Sequence, residues 1–184
     1  MKGHIFNLLE EFLIETAGAE TFETIYQNVD FESEGVFVTT GNYPDADLVK
    51  LVHEAVRVLG ITIEQAHVAF GKWMFPHLTK LVPTEVIDVG HPKNFLMQLN
   101  AIHEVELKKL WPDARPPLFN CEDTGQNTMT FVYDSPRQMF DLVEGVLAGV
   151  RDYYKVGMQW KKLVVEGQQG YPVARFDIQF DQVA

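Results

Sequence analysis

The chain has 184 residues, 46% of them hydrophobic and 12% aromatic, enough to enclose one substantial core, and its 26 acidic against 15 basic residues give a net charge of −11. That charge repels phosphate backbones and anionic lipid headgroups, so nucleic acid and membrane surfaces are excluded as expected partners. Cys121 is the single cysteine, which excludes an intramolecular disulfide and any multi-thiolate zinc or iron–sulfur site and makes a reducing cytoplasm the simplest compartment.

Residues 2–17 place Ile5, Leu9, Phe12 and Leu13 at helical spacing. Lys2, an apolar run and Ala17-Gly18-Ala19 superficially suggest a secretory signal, but Glu10, Glu11 and Glu15 break the run and the segment reads as an amphipathic helix. No stretch approaches the length of uncharged apolar chain that a transmembrane helix needs. Residues 45–59 repeat the helical pattern through Leu48, Leu51, Val52, Ala55 and Leu59. A shorter helix is expected over 62–69, and the apolar stretch 70–81, interrupted by Gly71 and Pro76, extends the helical half. The clearest helix covers 95–111, closed by Pro112, after which Pro116 and Pro117 enforce an extended passage.

Beyond that passage the apolar period changes from about 3.6 to about 2 residues. Strands are expected over 118–122 and 128–133, then a helix over 136–154, then a hairpin of 158–165 and 173–180 joined by the glycine-containing loop 166–172. No repeat, low-complexity tract or linker divides the chain, so residues 1–184 read as one domain. The class is α+β, a helical N-terminal half packed on a four-stranded antiparallel sheet with a crossing helix.

His103 falls on the apolar stripe of its helix, seven and four residues after Leu96 and Leu99 and four and seven before Leu107 and Leu110. A neutral imidazole there needs a partner for its ring nitrogens, which a metal or haem iron supplies on one reading and a backbone carbonyl on the other. Tyr133, Ser135 and Arg137 form a second cluster: a phenol, a hydroxyl and a guanidinium at the end of a strand, donors suited to carboxylates such as haem propionates. Ser135-Pro136-Arg137-Gln138 also reads as a capping box with proline at the first helical position, which explains the serine but neither Tyr133 nor Arg137. Cys121 reads as a buried apolar residue of its strand. His4, His53, His67, His77 and His91 have no metal-site spacing.

Taken together, the opening Met1-Lys2-Gly3-His4-Ile5-Phe6-Asn7, the Ala69-Phe70-Gly71 element, the helix from Phe95 to His103, Pro116-Pro117 and Tyr133-x-Ser135-x-Arg137 resemble the haem-nitric oxide/oxygen binding (H-NOX) domains, bacterial stand-alone members in particular. The resemblance runs the length of the chain and implies haem b (iron protoporphyrin IX) bound between the two halves. It makes His103 the proximal iron ligand, Tyr133, Ser135 and Arg137 the propionate holders, and Pro117 the residue that presses on the macrocycle. Without the resemblance Pro117 is a helix-to-strand spacer. Asp45 falls where the family pairs an acid with the arginine, and it equally suits the first turn of a helix.

The same resemblance places Ile5, Leu9, Met74, Leu142 and Val146 over the free iron face. All are apolar. Members that bind oxygen stably carry a tyrosine where this chain has Leu142, with polar supports near Leu9 and Met74, so the expected function is a nitric oxide and carbon monoxide sensor that excludes oxygen. It is expected to signal by weakening of the iron–His103 bond to a separate effector, a histidine kinase or cyclic-di-GMP enzyme, with no catalytic site of its own. The cysteine-rich zinc cluster of some members cannot be built from Cys121 alone. The rival readings are a haem-free module with an apolar small-molecule cavity, and a hydrolase using Cys121 or Ser135, for which no nucleophile motif is present.

Overall fold

A computed structural model of the protein describes residues 1–181. The helical spacing of the first sixty residues becomes three helices, α1 (Gly3–Ala17), α2 (Ala19–Gln27) and α3 (Asp45–Leu59). The sequence did not predict α2. Its residues sit behind the signal-like Ala17-Gly18-Ala19, where Gly18 takes φ 90° and turns the chain so that Phe22 and Ile25 face the same core as α1.

Between α2 and α3 an irregular stretch is held to the helices by Asp47, which is fully buried and accepts from Glu32 N at 2.7 Å, Ser33 N at 3.1 Å and Ser33 Oγ at 2.6 Å. Burial works to raise the Asp47 pKa, but the Ser33 hydroxyl and the two backbone N–H groups outweigh it and hold the carboxyl below its ordinary value. A depressed carboxylate pKa stabilises the fold above the unfolded value and ceases to do so as pH falls through the folded one. Asp47→Asn is therefore expected to lower stability by about 1–3 kcal/mol at neutral pH in thermal unfolding, the deficit narrowing below about pH 4.

One helix, α4 (Ile63–Leu78), replaces the two segments expected over 62–81, and a 3₁₀ turn (Thr79–Leu81) and the short α5 (Thr84–Ile87) follow it. Thr62 and Gln65 form a reciprocal capping box at its start, with bonds of 3.1 and 2.9 Å. Gly71 does not break α4, and Pro76 lies in its last turn, where it removes one i→i−4 bond close to the helix end.

The continuous helix expected over 95–111 is corrected. The chain instead forms α6 (Pro92–Met97), α7 (Leu99–Ile102), a π-helical segment (His103–Leu107) and α8 (Lys108–Leu110). The start is earlier because His91 Nδ1 accepts from Lys93 N at 3.1 Å and Pro92 occupies the first helical position. Wider π turns shift the phase of the stripe, which is why Leu110 is exposed although straight-helix spacing aligned it with His103.

The sheet contains β1 (Leu118–Gly125), β2 (Thr128–Asp134), β3 (Met158–Glu166) and β4 (Pro172–Phe180), all antiparallel in the order β1-β2-β4-β3. Phe119 lies opposite Tyr133, and Phe131 opposite Phe176, so the inner face presents an aromatic layer to the helices. The crossing helix α9 runs from Phe140 to Tyr154, not from 136. Its expected capping box is absent: Gln138 has φ 51°, and Ser135 Oγ accepts from Arg137 N at 3.3 Å, so residues 135–139 form a turn that precedes the helix.

Helices α4 and α9 approach closely through glycine. A Cβ on Gly71 would overlap the Leu142 carbonyl and lie 2.9 Å from Val146 N, and one on Gly145 would lie 2.9 Å from Val68 Cα. Among the described residues no helix is long and apolar enough to cross a membrane.

Candidate functional site

The two hydrophobic clusters, one around α1–α3 and one on the inner face of the sheet, do not close on each other completely. A cavity of about 770 Å³ remains between them, walled by α1, α4, the α6–α8 run, the 111–117 passage, the inner face of β1 and β2, and α9. Pockets of this size hold drug-sized organic molecules and cofactors.

His103 stands on the wall at the first residue of the π-helical segment. Its ring packs 5.6 Å from that of Phe119, and its Nδ1 is buried with no hydrogen-bond partner among the described residues. Burial pushes its pKa down to about 4, against smaller opposing effects of the Pro117 carbonyl and Glu104, so the imidazole is neutral at neutral pH and available as a ligand. Pro117 lines the cavity beside it.

Asn100 fixes this region to the sheet and was not singled out from the sequence. Its Oδ1 accepts from Phe119 N at 2.9 Å, and its Nδ2 donates to Phe119 O, so one amide joins α7 to β1 three residues before His103. A helical asparagine is usually a solvent-facing residue, and nothing in the sequence marks this one as a clamp.

Tyr133 and Arg137 also line the cavity, whereas Ser135 is buried and is not part of its wall. Burial raises the Tyr133 pKa, opposed by the Ser135 hydroxyl, the Met139 backbone and Arg137, and the phenol remains a protonated donor. Arg137 Nε donates to Asp45 Oδ2 at 2.7 Å and its terminal nitrogen to the Arg115 carbonyl at 3.0 Å. Asp45 Oδ1 accepts from the Met1 ammonium at 2.6 Å. Burial alone would raise the Asp45 pKa, but that ammonium and Arg137 bring it below its ordinary value. The arginine is thereby held in place by an acid from the helical half.

Ile5 from α1, Met74 from α4, and Leu142 and Val146 from α9 line the cavity as well. Leu9 does not: it is buried within the N-terminal core. The Gly71 and Gly145 crossings bring α4 and α9 together at this wall. His4, on the lining, has its Nε2 buried without a partner among the described residues and its ring 5.3 Å from Trp111.

The donor set fits a flat apolar macrocycle with carboxylate arms and a metal centre. A neutral imidazole could serve as a metal ligand, a phenol and an oriented guanidinium could receive carboxylates, and aliphatic side chains would cover the remaining surface.

Over residues 2–162 the sequence matches the Haem-NO-binding family. It is 22% identical over 139 residues to a soluble guanylate cyclase of Caenorhabditis elegans, an overlap that takes in 73% of this chain and 20% of that protein. The chain thus spans about a fifth of the length of that relative. Its fold superimposes on the Fe(II) unliganded H-NOX protein of K. algicida with TM-score 0.84 and 24% identity, over 100% of this chain and 98% of that one. An H-NOX protein of S. oneidensis in the Fe(II)NO ligation state gives 0.86 and 23% over 99% and 100% of the two chains. The I5F mutant of T. tengcongensis H-NOX gives 0.87 and 18% over 99% and 98%.

Proposed function

Because the chain belongs to the haem-NO-binding family, we propose that its cavity holds haem b on His103 and that the domain senses nitric oxide, with carbon monoxide as a second ligand and dioxygen excluded. The observation that carries this reading is the neutral His103 imidazole, buried on the wall of an apolar cavity that Tyr133 and Arg137 also line. When bound, ferrous haem would supply the gas-binding chemistry, and His103 would be the residue that holds its iron.

The residues do the rest. Ile5, Met74, Leu142 and Val146 carry no hydrogen-bond donor, so this wall favours nitric oxide and carbon monoxide, which need none, over dioxygen, which gains from one. Tyr133 and Arg137 orient the carboxylate arms, and Asp45 keeps the guanidinium from swinging away. His103 begins the π-helical segment, so any change in load on its ring acts where the helix is least regular. Movement of that segment toward a separate effector, a histidine kinase or cyclic-di-GMP enzyme, is the signal, and the acidic surface complements a basic docking patch.

The absorption spectrum of the reduced protein, taken anaerobically, in air and with nitric oxide, tests this reading. The expected result is a high-spin ferrous haem spectrum that shifts with nitric oxide and not with air. A shift in air replaces nitric oxide sensing with oxygen sensing, and no haem spectrum after reconstitution removes the reading altogether. Leu142→Tyr, which adds a donor to the apolar wall, is expected to give a spectrum that does respond to air; if it stays unresponsive while still binding carbon monoxide, the donor argument fails.

A further inference from the structure

The cavity wall carries one cation that nothing in the fold uses. Lys2, Arg115 and Arg137 are the lysine and arginine side chains that line it. Arg137 is committed to Asp45 through Nε at 2.7 Å. Lys2 is 9% exposed, with its Nζ on Asp113 Oδ1 at 2.6 Å and on the Thr40 carbonyl at 3.0 Å. The Arg115 side chain makes no hydrogen bond and no ion pair among the described residues, whereas each of the other four arginines has an acid partner. With 26 acidic residues in the chain, that guanidinium is not left alone for want of carboxylates. Asp113, its nearest acid in sequence, is already taken by Lys2 and Asn42.

The backbone around Arg115 is fixed although its side chain is free. Arg115 precedes Pro116, and the residue before a proline is biased to extended conformations. Its carbonyl accepts from the Arg137 guanidinium at 3.0 Å. Two residues earlier, the hold of Lys2 and Asn42 on Asp113 ties the passage to the helical half. The bond from Arg137 to the Arg115 carbonyl also sets the two arginines at the same end of the cavity.

The two propionate arms of protoporphyrin leave one edge of the ring, so two carboxylates arrive together at one end of a site that holds it. Tyr133 and Arg137 can receive one arm. Arg137 has already given Nε to Asp45 and a terminal nitrogen to a carbonyl, which leaves it little for a second. A neighbouring guanidinium with all its donors unspent supplies the missing charge and a two-pronged contact.

We propose that Arg115 is a binding residue for the second carboxylate arm of the porphyrin, beside the Tyr133 and Arg137 pair that takes the first. The assignment rests on haem as the occupant of the cavity. Because the contact is made by an exposed side chain, it adds to retention of the group without contributing to the fold.

Release of protohaem IX from the reconstituted full-length protein to excess apomyoglobin, set beside release of its dimethyl ester, whose arms carry no charge, tests the proposal. Arg115→Gln is expected to lose protohaem roughly three- to tenfold faster than wild type and to lose the diester at the wild-type rate. Arg115→Lys, which keeps the charge and loses the fork, is expected to fall between the two. Lys161→Gln removes the same charge from β3, outside the cavity wall, and is expected to leave both rates unchanged. An Arg115→Gln protein that retains protohaem as wild type does, or that releases the diester faster by the same factor, overturns the assignment and leaves haem in the cavity. A wild type that takes up neither porphyrin overturns the haem reading, and this assignment with it.

Discussion

His103→Gly protein is expected to purify with at least tenfold less haem than wild type, and imidazole added to the growth medium or buffer to restore most of it. The argument rests on what His103 does not do in the folded chain. Its Nδ1 makes no hydrogen bond among the described residues, and its charged form is disfavoured by burial, so the fold gains little from the ring beyond packing against Phe119 and the approach of the Pro117 carbonyl. Removing it should leave the far-UV circular dichroism unchanged and the cavity slightly larger, a space that free imidazole re-enters. The ligand role is then separated from a structural one by two readouts, haem absorbance and secondary structure. Wild-type haem content in the variant, or loss of haem that imidazole does not recover in a folded protein, would remove His103 from the site.

Gly71→Ala is the second large effect expected, and it acts on stability and gas binding together. The added methyl meets the Leu142 carbonyl and Val146 N, backbone atoms that cannot rotate aside as a side chain can. Overpacking of this kind costs about 1–3 kcal/mol, and a thermal midpoint several degrees lower is expected for a chain of this size. To accommodate the methyl, α9 must shift away from α4, and the shift carries Leu142 and Val146 with it. Carbon monoxide recombination after flash photolysis should change rate in consequence, while Ala69→Gly, a neighbouring change without that contact, leaves the rate alone. An unaltered thermal midpoint would mean that the helices separate freely and that the glycine contact does not set the cavity wall.

The sequence was informative wherever chemistry and periodicity agreed. The four strands, α3 and the α+β arrangement follow from apolar spacing that burial on one face enforces. Spacing misled where the backbone departs from the straight helix. A π-helical segment has no separate apolar period, so residues 95–111 read as one helix although four pieces are present. Ser135-Pro136-Arg137-Gln138 has the composition of a capping box, but a non-glycine residue with positive φ, Gln138, delays α9 to Phe140. Site residues were legible in proportion to how unusual they are: a lone histidine on an apolar stripe and an arginine beside a buried tyrosine stand out, and both line the cavity. Leu9 is one aliphatic residue among many, and the spacing that pairs it with Ile5 cannot say that only Ile5 reaches the cavity. Asn100 was missed because its importance lies in a contact with Phe119, nineteen residues away, a relation that no local pattern encodes.

The strand order also sets a timetable for the nascent chain. β2 bears Phe131 and Tyr133 of the cavity wall, yet one of its two neighbours is β4, the last strand to be synthesised. As translation passes α9, the helices already have their local contacts, but the wall facing them is still half of a sheet. Non-local pairing of this kind is the slow step of folding, and an unsupported apolar surface is exposed until it happens. The cavity wall is therefore complete only once the chain through Phe180 is available to pair with β2. Any ligand that needs the complete wall must wait for β4 to pair with β2.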